Sequence, residues 1–108
     1  MSDLLDLLES APIAARGLIT TRIAHSLTLA ARDVLAGDRS ESAKLARLAC
    51  LMELEHDLMQ QSAKYLRDDS RRYPDDDFVR ILEERAASGD CQRYLDHATR
   101  DVLDHPAG

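Results

Sequence analysis

The chain has 108 residues, 44% of them hydrophobic and 31% charged, but only 4% aromatic and with no tryptophan. That length suits one domain near the size at which a single core stands without disulfides, and the core has to be built from Leu, Ile, Ala and Met. A net charge of -6 argues against direct nucleic-acid binding, which needs a basic face to neutralise phosphates. No basic-then-apolar leader is visible, and no apolar run approaches the roughly 18 residues of a membrane span. Cys50 and Cys91 fall on separate predicted helices without CxxC spacing, as expected of a reducing, cytoplasmic setting.

Ser2 can cap a short helix over 3–9, whose Leu4, Leu5, Leu7 and Leu8 are apolar. It is too short to stand alone, so it is expected to dock on the bundle, the other option being a detachable arm. Pro12 suits the first turn of the next helix, over 13–36. There Ile19, Ile23, Leu27, Ala30, Ala31 and Val34 crowd into one arc. On the opposite, polar side Leu18 and Leu29 lie three turns apart; they are either scattered surface leucines or a second contact surface.

Gly37 ends this helix, and Asp38 with Glu41 resembles a capping box opening a helix over 40–67. A link so short forces an antiparallel hairpin, with arms roughly 36 to 42 Å long at 1.5 Å per residue. At 100° per residue the second arm carries two apolar stripes. Leu45, Leu48, Ala49, Met52, His56, Met59, Ala63 and Leu66 form one; Leu51, Leu54, Leu58 and Tyr65 form the other. Two stripes need two partners, and the second is assigned, with Leu18 and Leu29, to a partner or dimer face. Between the stripes Glu55 shares a seam with Lys44 and Ser62, where a carboxylate must find a donor such as Arg16 or reach the bundle edge.

The stretch DDSRRYPDDD, over 68–77, breaks the pattern. It lacks the spaced ligands, turn glycine and distal Glu of a calcium loop, and Asp75 or Asp76 is better read as the cap of a helix over 76–88. That helix directs Phe78, Ile81, Leu82 and Ala86 inward, and Gly89 stops it. Asp90 is expected to cap a last helix over 91–104, with Cys91, Tyr94, Leu95, Ala98 and Val102 on its inner face.

Few residues offer chemistry. Glu53 and His56 have the ExxH spacing that resembles half of a ferritin-like di-metal site, but no second ExxH accompanies them and Glu53 turns toward the solvated arc. His56 is therefore taken as a partly buried structural histidine packed with Met52 and Met59. His25, in AHSLTLAAR, resembles the phosphate-accepting helix of histidine phosphotransfer domains over a few residues, with Thr28 where those domains place a lysine. A surface histidine is the plainer account. Cys50 is placed toward the polar arc and Cys91 on an inward stripe as an inert thiol; no phosphate loop or dinucleotide fingerprint occurs.

The expected fold is all-α: one long and one shorter helix hairpin with a short N-terminal helix. The expected role is a non-enzymatic interaction or regulatory module without a cofactor, acting as a homodimer and on another protein through apolar helix faces. Two other roles fit the same residues. One is a bundle binding a metal or small ligand through Glu53, Glu55 and His56; the other is an acidic decoy for a nucleic-acid-binding site on a host protein.

Overall fold

Leucines and alanines at three- and four-residue spacing wind the chain into helices, and short Gly, Pro and Ser punctuation folds them back on one another. The computed structural model describes residues 2–67 and 75–105. Among these lie five helices and no strand: α1 (Asp3–Ser10), α2 (Ile13–Ala36), α3 (Glu41–Leu66), α4 (Asp75–Ser88) and α5 (Gln92–Asp104). The architecture is a helical bundle.

The α2–α3 hairpin is its spine. Gly17, early in α2, lies against Leu66 and Ser62 at the far end of α3. At the other end the Lys44 ammonium donates to the Leu35 carbonyl at 2.9 Å, so the arms run antiparallel. Small hydroxyls join them. Ser62 donates to the Gly17 carbonyl at 2.9 Å and shares a 2.8 Å bond with Thr21, which satisfies polar groups that the close approach takes from water.

The shorter helices cover one side of the spine: α5 packs on α2, α4 on α3, and α1 on both α4 and α5. The core lies between these layers, where Leu8, Ile23, Leu27, Leu54, Leu58, Leu82 and Leu95 are fully buried. Burying each such side chain contributes about 1.5–3 kcal/mol. The N-terminal helix is docked: Leu4 and Leu8 are buried, the Ser2 hydroxyl caps Leu5, and it donates onward to Glu83 at 2.6 Å.

Several local expectations are corrected. Ser40, rather than Asp38, caps α3 by accepting from the Ala43 amide at 3.3 Å. Asp90 does not cap α5; Cys91 occupies that position without a side-chain capping bond, while Asp90 takes a left-handed turn at φ 57°. On α4 Leu82 and Ala86 face inward and Phe78 packs half-buried against the core as expected, but Val79 takes the place expected of Ile81, which is exposed, because spacings of three and seven hold Val79, Leu82 and Ala86 on one face. Residues 68–74, with most of the acidic break, lie outside the described residues, as does whatever precedes Asp75 as a cap.

Candidate functional site

Helix α3 has more apolar surface than one core can take. Leu51, Leu54, Leu58 and Tyr65, expected at a partner face, are interior, with exposures of 4% or less. Leu51, Leu54 and Leu58 share one buried cluster with Ile23 and Leu27 of α2 and Leu82 of α4, so the more hydrophobic stripe goes to the core. The other stripe faces outward. Leu45 is 67% exposed, Met52 66%, Met59 45% and Leu66 77%. These four recur every seven residues, and Ala49, His56 and Ala63 fill the positions between them.

On a straight helix such a line drifts only about 20° per heptad, so it slants slowly across the outward side and ends with Leu66 near Gly17 of α2. It spans 21 residues, roughly 32 Å at 1.5 Å per residue. Exposed Glu53 and Gln60 border it on one side. There the face opens into a groove of about 490 Å³ between α3 and α4, lined by Ala46, Ala49, Glu53, Ile81 and Ser88. Two ion pairs fix this border by holding Arg85 of α4 to Asp57 and Arg47 of α3 to Asp90. The seam therefore rests on a braced helix.

His56 is exposed on the outward stripe, and not partly buried as its methionine neighbours suggest. Glu53 is exposed and Glu55 half-buried. Among the described residues no three His, Cys, Asp or Glu side chains group as metal ligands. Arg16, the donor suggested for Glu55, reaches the carbonyls of Ala11 at 3.1 Å and Glu9 at 3.4 Å, tying the end of α1 to α2. Leu18 and Leu29 are exposed on α2, and His25 lies on that exposed face.

The remaining candidates are quiet. Cys50, expected toward the polar arc, is buried and donates to the Arg85 carbonyl at 3.5 Å. Cys91 is fully enclosed; burial, then the neighbouring Cys50 thiol, push its pKa up to about 12, so at neutral pH it is no nucleophile. On α4, Arg80 stands 3.5 Å from both Asp77 and Glu84.

A signal separating the two α3 stripes was present in the sequence. One is leucine with a terminal tyrosine, whereas the other is interrupted by alanines and a histidine, which costs less to leave in water. No helix among the described residues is long and apolar enough to cross a membrane. No protein-family model, curated protein or solved structure matches the chain.

Proposed function

We propose that this protein is a non-enzymatic helical interaction module that works as a homodimer and docks to another protein through its outward helix faces. The supporting observation is the α3 seam: Leu45, Met52, Met59 and Leu66 stay exposed on a helix whose other side already fills the core. Scattered surface leucines need no explanation, but four large apolar side chains in line along about 32 Å form a continuous patch of the kind that marks an interaction site. The α2 face bearing Leu18 and Leu29 is the second surface, available for the other protein.

Sedimentation across a concentration series tests this reading. The expected result is a reversible dimer in the wild type, retained in Leu18→Ser/Leu29→Ser. A chain that stays monomeric throughout the series removes the homodimer. Loss of the dimer in the α2 variant moves the self-contact from α3 to α2.

A further inference from the structure

The order of residues along the α3 seam reads the same in both directions. From Leu45 it runs Leu, Ala, Met, His, Met, Ala, Leu, ending at Leu66, with steps of four and three alternating. His56 is the middle member. Two such helices laid antiparallel about a two-fold axis through His56 bring position 56 to itself and Ala49 level with Ala63 of the second copy. The same operation brings Leu45 and Leu66, and Met52 and Met59, to within one residue of each other, a rise of about 1.5 Å that side chains of this length span. Every level then joins like with like in size, which an isologous contact requires because each residue must fit its counterpart twice.

We infer that the outward seam of α3 docks on the same seam of a second copy of this chain, antiparallel, with His56 on the two-fold axis; this rests on the homodimer proposed above and specifies its geometry.

Three further features favour that occupant. First, an antiparallel pair opposes the two α3 dipoles, whereas a parallel pair stacks like on like. Second, the polar border matches. Glu53 falls within one residue of Gln60 of the second copy and well clear of that copy's Glu53, so its carboxylate has an amide donor in reach.

Third, the area suffices. The four large side chains expose on the order of 500 Å² per copy, so full coverage of both seams, with Ala49, His56 and Ala63 at their centre, removes about 1,000 Å² from water, the lower range of a specific interface. Alanines at Ala49 and Ala63 let the axes approach to the short end of the usual 8–10 Å. A two-fold contact closes at two chains and leaves no seam for further growth.

Charge exchange at Met52 and Met59 distinguishes this geometry from others. Both residues are exposed, so substitution leaves the core intact, and unchanged helical circular dichroism verifies this. In sedimentation, Met52→Glu alone and Met59→Lys alone are expected to weaken the dimer at least tenfold. The double variant M52E/M59K sets Glu against Lys at both copies of the antiparallel contact and restores the dimer, now salt-sensitive. A dimer that the single variants break and the double variant does not restore overturns the antiparallel register while leaving the homodimer standing. A monomeric wild type overturns both, and a dimer insensitive to either single variant places self-association elsewhere.

Crosslinking supplies an independent reading. Oxidised His56→Cys is expected to form an intermolecular disulfide, because position 56 meets itself, while Leu45→Cys is not. Crosslinking of both variants identifies a parallel pair, and crosslinking of neither overturns the proposal.

Discussion

Gly89 closes α4 against Cys50 of α3 so tightly that a Cβ on Gly89 would stand 2.6 Å from the Cys50 Cβ and closer still to its sulfur. Real Cβ atoms do not approach so far, so the glycine is what lets the α4–α5 corner sit on the spine. Gly89→Ala is expected to cost about 1–3 kcal/mol through overpacking. Trimming the partner with Cys50→Ala restores little, because the Cys50 Cβ itself is in the way. Gly17 is the contrasting case: a Cβ there meets the Leu66 side chain at 3.5 Å, an ordinary contact. Gly17→Ala, inside a helix, is expected to stabilise by roughly 0.5–1 kcal/mol. Urea denaturation of both variants checks the pair, and equal effects of the same sign would sink this account.

Gln61 sits at 3% exposure on the inner face of α3, and its Nε2 has no hydrogen-bond partner among the described residues. A buried donor left unpaired costs about 1–3 kcal/mol, whereas an apolar side chain of similar shape does not. Gln61→Met is therefore expected to raise stability by about 1 kcal/mol, several degrees in Tm for a domain of this size. Calorimetry settles the matter: an unchanged or lower Tm means the amide is engaged in solution.

Periodicity and punctuation made most of the fold legible. The helices over 13–36 and 76–88 and the antiparallel hairpin follow from spacing and from a turn too short for any other path. The allocation of faces was harder to read. Both α3 stripes satisfy a helical period, and only their composition separates them: the Leu51–Leu54–Leu58 side joins Leu27 of α2 and Leu82 of α4 in the core, while the side broken by alanines and His56 stays outside. Local competition misplaced the caps. Asp38 and Asp90 are good capping residues, but Ser40 lies nearer the helix start and Asp90 is drawn into a turn by Arg47. A sequence cannot show such a pairing across 43 positions.

Asp90 is the one described non-glycine residue with positive φ, at 57°. A left-handed conformation is unfavourable for side chains, though Asp and Asn tolerate it better than most, and glycine adopts it freely. Its ion pair with Arg47 joins an 82% exposed carboxylate to an Arg47 side chain only 11% exposed; water screens the Asp90 end, so the pair contributes about 1 kcal/mol. Asp90→Ala loses the pair and worsens the backbone fit, with an expected cost of about 1–2 kcal/mol. Asp90→Gly loses the same pair but relieves the backbone and is expected within about 0.5 kcal/mol of wild type. Equal losses from the two substitutions would show that backbone conformation does not matter at this turn.

Cys91 links burial to pH. Its thiol is closed off from solvent, donates to the Gly89 carbonyl at 3.4 Å, and has its pKa pushed from 9.0 up to about 12 by burial, then by Cys50. In the unfolded chain the thiol ionises near its ordinary value, while the folded chain holds the proton, so above pH 9 the unfolded state binds fewer protons. The contribution of Cys91 is thus fully present below about pH 9, falls as pH rises, and levels off beyond about 12, with a slope of at most about 1.4 kcal/mol per pH unit. Denaturation of wild type and Cys91→Ala at pH 8 and again near pH 10.5 should show the gap narrowing, with wild type losing more. Parallel losses would mean that the thiol ionises as readily folded as unfolded. Alkylation supplies a second check at pH 8, where the native protein is expected to leave Cys91 unmodified until denaturant exposes it.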